Sequence, residues 1–282
     1  MFHVEQSKKN LHCETKDFLV TGQKFKIYID KNNIIGKTFP VPKKEDMGKY
    51  YDSEQYHPHS LDKKSFLGLV YETSRKIMHR KKLFWTRNYI KQNSKVLDYG
   101  CGSGEFVKYL RLNSINAYGY DPNIKFNKDD SVDYLTDKKS WTNQKYEIIF
   151  LWHVLEHTHN PFGLIEKLKK NLKKNGKIFI AIPNFKSFDC KYYGKYWAGY
   201  DPPRHLWHFS RKSIYLMADK YNFKILKEKN LFLDSIYVSY LSEKHKLNFF
   251  PLFFGSIVGI ISNFKSIFSG ESSSRLFIFN KL

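Results

Sequence analysis

Cysteine is scarce in this chain of 282 residues, which contains three: Cys13, Cys101 and Cys190. The set is odd in number, scattered, and without a C-x-x-C motif, which argues against a disulfide-stabilised extracellular domain and favours a reducing compartment. The N-terminal sequence MFHVEQSKKN is polar and does not have the apolar stretch of a signal peptide. We therefore expect a cytoplasmic protein.

Arginine and acidic residues are also few. Seven of the 48 basic residues are Arg, and with 27 acidic residues the formal net charge is +21. Such a charge allows an anionic partner, either RNA or a membrane surface. Nucleic-acid readers, however, use Arg forks as well as Lys charges, and Lys is spread along this chain without clustering. We favour a lysine-rich solvated surface and do not expect nucleic acid as a partner.

One long apolar run stands out, at residues 247–264, where 18 positions carry no charge. A membrane-spanning helix needs roughly 20 mostly apolar residues, and this run contains Pro251, two Gly, two Ser and two Asn. We interpret it as a flap over an apolar substrate or as an interfacial segment that contacts the inner face of a membrane. A complete span is the least favoured interpretation.

The sequence pattern of the rest of the chain predicts two structural regions. Residues 1–60 contain alternating strands at 17–39 and a Tyr- and His-rich segment, which predict a small antiparallel β-hairpin and a lid. Residues 61–282 alternate helices with short apolar strands, which predicts an α/β domain whose parallel sheet carries helices on both faces. Insertions are expected at 183–209 and 235–270. The expected strands of the sheet are 95–100, 116–121, 132–136, 146–152, 176–183, 223–233 and 274–282.

A glycine-rich turn follows the first strand of this domain, in the segment KVLDYGCGSGEF. Gly100, Gly102 and Gly104 recur at every second position between a buried strand and a helix. Glycine suits a backbone that turns with positive φ and approaches a ligand, and the helix N-terminus opens towards that ligand. The spacing is G-x-G-x-G, whereas dinucleotide sites use G-x-G-x-x-G. Asp98 precedes the turn and would attract a cationic ligand but repel a pyrophosphate.

A second acid, Asp121, ends the next strand 17 residues after Gly104. Ligands of open α/β sheets sit beyond the carboxyl ends of the strands, where a carboxylate can accept from both ribose hydroxyls. The segments VLDYGCGSGEF, GYDP and YEIIFLWHVLEHTHNP together resemble the class I S-adenosylmethionine-dependent methyltransferases. The resemblance covers about residues 90–235 and is closest to the small-molecule branch that includes ubiquinone-biosynthesis O-methyltransferases.

This resemblance implies a Rossmann-like sheet of seven strands, of which the last is antiparallel, and S-adenosylmethionine as cofactor. The turn would back the methionine moiety, Asp98 would lie near its amino group, and Asp121 would bind the ribose. Leu135 and Thr136 would lie by the adenine, and Leu151, Trp152 and His153 would face the methyl group. The full set of expected cofactor residues is Asp98, Tyr99, Gly100, Cys101, Gly102, Gly104, Asp121, Pro122, Leu135, Thr136, Leu151 and Trp152.

Two histidine clusters are candidates for the acceptor side, because His is the natural base near neutral pH. His153, Glu156 and His157 would share one face if helical, and could hold a metal; we favour instead that Glu156 and His157 brace the loop. Arg204 and His205 lie in the aromatic insertion and could hold an acidic or phosphorylated acceptor, or could simply be packed. The expected catalytic residues are His153, Arg204 and His205. The expected lid residues are Tyr50, Tyr51, Tyr56 and His57.

These features predict an enzyme that methylates a small or lipid-like acceptor on oxygen or carbon. The high charge leaves an RNA or protein methyltransferase as an alternative. Against a base-amino methylase, LWHVLEH stands after the fourth strand where an N/D-P-P-Y tetrad is expected. A third alternative is a non-catalytic module that binds S-adenosylmethionine.

Overall fold

The computed structural model describes residues 10–51, 66–122 and 138–282. The strands are β1 Asn10–Lys16, β2 Lys24–Ile29, β3 Ile35–Phe39, β4 Lys95–Tyr99, β5 Asn116–Tyr120, β6 Tyr146–Trp152, β7 Leu172–Pro183, β8 Trp207–Phe209, β9 Phe223–Asn230 and β10 Ser274–Lys281. The helices are α1 Phe66–Thr86, α2 Glu105–Leu112, α3 Lys138–Thr142, α4 Pro161–Asn171, α5 Phe188–Tyr193, α6 Arg211–Lys220, α7 Phe232–His245 and α8 Pro251–Ser269.

The larger sheet has six strands within the described residues, in the order β5-β4-β6-β7-β10-β9. Strands β5, β4, β6 and β7 are parallel, and β10 runs antiparallel between β7 and β9. The expected α/β fold and antiparallel last strand are therefore confirmed. The seventh expected strand, residues 132–136, lies outside the described residues, as do Leu135, Thr136, Tyr56 and His57.

Helices cover both faces of this sheet because each presents one apolar side to it. One face packs against α2 through Phe106, Val107 and Leu110. The other packs against α4 and α6, for example through Ile165 and Met217. Side chains on both faces of β6 and β7 are fully buried, as expected for central parallel strands that lack a solvated side.

The N-terminal strands form a second, antiparallel sheet in the order β1-β2-β3-β8. Two of its strands, β2 and β3, lie within the predicted range 17–39, whereas β1 precedes it and DFLV (17–20) does not form the third strand that this range allowed. The Asp17 carboxylate accepts hydrogen bonds from the backbone N–H groups of Leu19, Val20 and Thr21, which makes this segment a turn after β1. Strand β8 comes from the 183–209 insertion and pairs with β3, so the insertion and the N-terminal segment share one sheet.

Two other boundaries differ from expectation. The segment PFGLIEKLKKNLKK predicts an amphipathic helix that ends at Asn175-Gly176, but the helix ends at Asn171. The side-chain amide of Asn171 donates to the backbone oxygens of Trp141, Thr142 and Gln144. The strand expected over 223–233 ends at Asn230, because the chain turns at Leu231 into α7. In both places the element is of the predicted type but shorter, and its last predicted residues belong to the next element, β7 or α7.

The 235–270 insertion consists mainly of α7 and α8, which pack against each other as a helical hairpin. Helix α8 is the one helix of the described segments that is long and apolar enough to cross a membrane by length and composition. No residue of 247–264 is among the lining residues of the 520 Å³ cavity described below. The lining of that cavity therefore does not support the interpretation of this run as a flap, and the exposed apolar residues of α8 are compatible with the alternative of an interfacial segment.

A buried ion-pair network joins the N-terminal sheet to the insertion. Arg204, which is fully buried, donates from Nε to both Asp201 carboxylate oxygens at 3.0 Å and from one terminal nitrogen to Asp17 at 2.9 Å. Its other terminal nitrogen donates to the Tyr50 backbone oxygen at 2.7 Å. Burial opposes ionisation of both Asp residues, but Arg204 holds the pKa of each below its usual value. All three charges are thus compensated inside the protein.

We expect Arg204→Met to reduce the free energy of unfolding by about 3–5 kcal/mol, because it leaves two buried carboxylates without their cation. Urea denaturation at pH 7 measures the change. Since the network lowers both Asp pKa values, its stabilisation is present at neutral pH and should be lost as the pH falls below about 4. Lys26→Met, which breaks the solvent-exposed pair with Glu14, is the matched control. An equal loss in both variants would contradict this account.

Candidate active site

The glycine turn after β4 adopts the conformation that its spacing predicts. Gly100, Gly102 and Gly104 have φ values of +79°, +55° and +79°. A Cβ atom on Gly100 would lie 2.5 Å from Cγ2 of Val154, whereas a Cβ on Gly102 would meet open space. The turn after β4 therefore contacts the segment after β6, and its outer edge faces an empty region.

Asp121 connects this turn to the end of β5. Its Oδ2 accepts a hydrogen bond from the Gly102 backbone N–H at 3.0 Å, and the Tyr120 backbone oxygen accepts from Gly100 and Cys101. The carboxylate is half-buried at the carboxyl edge of the sheet. It is thus held beside the turn, where ligands of α/β sheets bind.

A cavity of about 520 Å³ opens over this edge, within the range of small-molecule and cofactor sites. Its floor contains Tyr99, Gly100, Gly102, Asp121 and Pro122. Its other walls come from the segment after β6 and from the N-terminal lid. They are formed by Lys44, Met47, Tyr51, His153, Val154, His157, Thr158, His159, Asn160 and Leu164.

Five of the predicted cofactor residues therefore line one cavity. Leu135 and Thr136 lie outside the described residues, and the others are not among the lining residues. Asp98 is buried at the end of β4, and Gly104 is the residue before α2. Leu151 is wholly buried in the core, and the Trp152 ring packs against Phe106 and Phe150. The prediction that Leu151 and Trp152 face the ligand is wrong, because the chain reaches the cavity one and two residues later, at His153 and Val154.

Asp98 is paired electrostatically with a lysine that sequence patterning did not single out. Burial raises the pKa of the Asp98 carboxyl to about 7, against the opposing attraction of Lys82. Burial also lowers the pKa of Lys82, whose ammonium lies 4.8 Å from the centroid of the Trp152 ring. A second cation near Asp98 would favour its ionised form.

His153 sits between two carboxylates, with an unusual backbone φ of +55°. Its Nδ1 lies 3.2 Å from Glu156 Oε1, and its Nε2 lies 3.2 Å from Asp234 Oδ2. Burial alone would lower the pKa of His153, but these two hydrogen bonds raise it to about 10. His153 is therefore a cation at neutral pH that already holds both ring protons. This corrects the prediction that it accepts a proton.

A second histidine, His157, is neutral and lines the cavity. Its Nδ1 lies 3.1 Å from the backbone oxygen of Arg204, which can only accept, so Nδ1 carries the proton and Nε2 keeps a lone pair. Burial and the nearby His205 lower the pKa of His157 to about 4. The ring contacts His205 at a centroid distance of 4.5 Å, which brings the two predicted histidine clusters together.

His205 carries its ring proton on the same nitrogen as His157. Its Nδ1 lies 2.9 Å from the Gly199 backbone oxygen, which can only accept. Ligand atoms of Glu156, His157 and His205 lie within 4.8 Å of one another. Glu156 Oε2 is buried and has no hydrogen-bond partner among the described residues. One carboxylate oxygen and two imidazole nitrogens would suit a divalent transition metal. The cluster differs from the set that the sequence offered as the less favoured metal site, in which His153 stood in place of His205.

Residues 155–157 form a single 3₁₀ turn, so no helix aligns His153 with His157. The turn is braced by a hydrogen bond from the Leu206 backbone N–H to the Glu156 backbone oxygen at 2.7 Å. Arg204 contacts Asp17, Asp201 and Tyr50 and is fully buried. The prediction that it binds an acceptor is therefore wrong, since all its donors serve the network between the two sheets.

Of the expected lid residues Tyr50 and Tyr51, which the structure describes, Tyr51 lines the cavity, and its hydroxyl lies 3.3 Å from His157 Nδ1. Tyr50 instead donates to Gln23 from a buried position. Asp234 was not among the predicted site residues, because a strand was expected over 223–233, directly before it. The structure instead places Asp234 in the first turn of α7. Lys82 was also not among the predicted site residues, because the helical apolar stripe of α1 gives no reason to select it.

Comparison with known proteins supports the fold and the turn. The Methyltransferase domain family model matches residues 70–228. A tRNA U34 carboxymethyltransferase of Campylobacter jejuni is 29% identical over 99 residues, covering 30% of this chain and 34% of that protein. A ubiquinone biosynthesis O-methyltransferase of Glaesserella parasuis is 29% identical over 107 residues, covering 32% of this chain and 45% of that protein. The chain thus spans less than half the length of these relatives.

Among solved structures, a SAM-dependent methyltransferase from Archaeoglobus fulgidus aligns with a TM-score of 0.48 and 19% identity, over 77% of this chain and 100% of the other. The family model covers more than half of the sequence, including the turn after β4 and the end of β5. The chain belongs to the class I S-adenosylmethionine-dependent methyltransferases.

Proposed function

We propose that this enzyme methylates a small or lipid-like acceptor on oxygen or carbon. The observation that carries the proposal is that one cavity of about 520 Å³ is lined by both Asp121 and His157. Its acceptor end is walled by side chains of the lid and of the segment after β6, several of them apolar, such as Met47, Val154 and Leu164. Such a walled pocket suits a compact acceptor better than an extended polymer.

In this proposal the floor of the cavity binds S-adenosylmethionine. The open edge at Gly102 lets the methionine moiety approach the backbone, and Asp121 accepts hydrogen bonds from the ribose hydroxyls. The buried Asp98 attracts the cationic end of the cofactor. The positions of Gly100, Gly102 and Asp121 around one cavity support this assignment.

The acceptor proton goes to His157. Methyl transfer breaks the bond between carbon and the sulfonium sulfur, whose electron pair stays on sulfur, while the acceptor oxygen forms the new bond to carbon. The acceptor hydroxyl gives its proton to the free Nε2 of His157, and Glu156 and Asp201 stabilise the resulting imidazolium. A divalent cation held by Glu156, His157 and His205 would instead polarise the acceptor oxygen as a Lewis acid.

The cation at His153 has a positioning role in this scheme. Its two carboxylate partners fix the ring, and its charge keeps Glu156 ionised although that carboxylate is buried. Burial opposes this ionisation, and the hydrogen bond from His153 outweighs it, so the pKa of Glu156 stays below its usual value. Glu156 is thus available to stabilise charge on the neighbouring histidines.

RNA is the second candidate acceptor, because the chain carries a net charge of +21 and resembles tRNA carboxymethyltransferases over part of its length. Binding to RNA through lysines would weaken steeply with salt, through release of counterions. A small acceptor in a walled pocket would show little dependence on salt. The two candidates therefore differ in a quantity that is simple to measure.

We expect Asp121→Ala to weaken binding of S-adenosylhomocysteine by about 1–3 kcal/mol, because charge-assisted hydrogen bonds to the ribose are lost. Isothermal titration calorimetry measures the dissociation constant. Asp219→Ala, which removes an exposed carboxylate on α6, should leave it unchanged. If the affinity of Asp121→Ala is unaltered, Asp121 does not bind the cofactor.

Affinity for the same ligand should rise with pH. Burial raises the pKa of free Asp98 to about 7, so a cationic ligand binds the ionised form and displaces its proton. Below pH 7 we expect the affinity to fall by up to about tenfold per pH unit. Calorimetry from pH 5.5 to 8.5 tests this, and Asp98→Asn should flatten the profile. A flat profile in the unsubstituted protein would rule out contact between Asp98 and the ligand charge.

For the acceptor, we expect methyl label from S-adenosylmethionine to enter a lipid extract or a pool of small metabolites, not a pool of purified RNA. Asp121→Ala, assayed well below saturation with cofactor, should lower the incorporation about as much as it lowers cofactor affinity. Label in RNA, together with salt-sensitive RNA binding, would instead establish the second candidate.

A further inference from the structure

In the α7–α8 hairpin, helix α8 exposes its large apolar side chains to solvent and buries small residues. The side of α8 that packs on the protein consists of small residues, two of them polar, with Gly255, Val258, Gly259, Ser262 and Ser266 buried. The outward side is apolar. Phe253, Ile257, Ile260, Phe264, Ile267 and Phe268 are exposed, at 62%, 41%, 58%, 62%, 65% and 78%. These six residues are termed the hairpin face. A helix exposed to water normally shows the opposite arrangement.

Small residues allow the two helices to approach closely. A Cβ on Gly255 would lie 2.6 Å from the backbone of Tyr240, and one on Gly259 would lie 2.6 Å from the backbone of Ile236. Buried serines of α7, at positions 235, 239 and 242, face the same contact. Small residues every three or four positions with polar groups between them are the packing pattern of helices in lipid.

The hairpin is held firmly by buried polar groups. Ser262 donates to Asp189 Oδ1 at 2.7 Å, and the other oxygen of Asp189 accepts from Trp197 Nε1 and from Ser273, both at 2.7 Å. Ser235 donates to Asn263 at 2.7 Å. The polar side of α8 is therefore committed to the protein, and its apolar side is not available for the core.

Lysines flank the hairpin face. Lys244 and Lys246 precede α8, and Lys265 lies near its end, all with exposed side chains. The chain as a whole carries a net charge of +21. Anionic lipid headgroups would attract these lysines while acyl chains cover the apolar side. Nine apolar residues of α8 are exposed. They form a surface wider than the seam that one partner helix would cover, which favours a lipid surface over a single helix as the partner.

We propose that the hairpin face docks the enzyme onto the interface of an anionic lipid bilayer, with α8 lying in the plane of the membrane. Helix α8 is about 28 Å long at 1.5 Å per residue, but α7 covers one side of it and β10 begins at Ser274, in the central sheet. Only the outer side of α8 can enter lipid, which makes it an interfacial helix and not a span.

The hairpin also touches the active site. Asp234, in the first turn of α7, contacts His153 Nε2, and His153 lines the cavity. Docking would therefore hold the cavity close to the membrane surface. Delivery of a lipid-borne acceptor from the bilayer rests on the proposed function, whereas docking itself does not.

Sedimentation of the full-length protein with lipid vesicles tests the proposal. We expect the protein to sediment with vesicles of phosphatidylcholine and phosphatidylglycerol, and much less with phosphatidylcholine alone. The triple variant Phe253→Ser, Ile260→Ser, Phe264→Ser should lose at least about tenfold in partitioning, because three large apolar side chains no longer enter the bilayer. A matched control, Leu112→Ser, Leu226→Ser, Leu282→Ser, removes three exposed leucines outside the hairpin and should partition as the unsubstituted protein does.

Each of several results would overturn docking. The first is that the unsubstituted protein stays in the supernatant with anionic vesicles, and the second is that both triple variants lose partitioning equally. The third is that the unsubstituted protein is a dimer that vesicles do not dissociate, whereas the hairpin variant is a monomer. Affinity for S-adenosylhomocysteine, measured on the same samples, should be unchanged in both variants, so failure to dock is distinguishable from failure to bind cofactor. Hydrogen exchange of α8 in the unsubstituted protein should slow on adding anionic vesicles, and no change would also count against docking.

Discussion

The close approach of three strand ends is the constraint on which the site depends. The turn after β4 can lie against Val154 only because Gly100 has no side chain. The Gly102 N–H then bonds to Asp121, at the end of β5. These contacts bring the ends of β4, β5 and β6 together around one cavity, so a bulkier residue at Gly100 would separate the parts that bind the ligand.

Charge is distributed around the cavity in a way that follows from burial and pairing. His153 is protonated because two carboxylates hold both of its nitrogens, whereas His157 is neutral because burial and His205 disfavour its charge. Two histidines four positions apart in sequence therefore have opposite protonation at neutral pH. The difference assigns a positioning role to the first and leaves the second with a free lone pair.

The insertion after β7 and the N-terminal segment act as one structural unit. Strand β8 extends the N-terminal sheet, and Arg204 neutralises a carboxylate from each side. This unit places Tyr51 over the cavity and brings His205 against His157. A long insertion thus contributes to the site through packing, and Arg204, one of its two predicted acceptor residues, is buried in the network between the two sheets.

The amino-acid sequence was sufficient to predict the architecture and the glycine turn, because both depend on local signals. Apolar strands alternate with helices, and the glycines of KVLDYGCGSGEF need no distant partner to adopt positive φ. It also identified Asp121, since strand ends converge in any parallel sheet. The surroundings of His153, Arg204 and Asp234 become visible only in the folded protein, because the partners of the first two lie up to 187 positions away. Protonation state and burial depend on such distant neighbours, and no local pattern in the sequence records them.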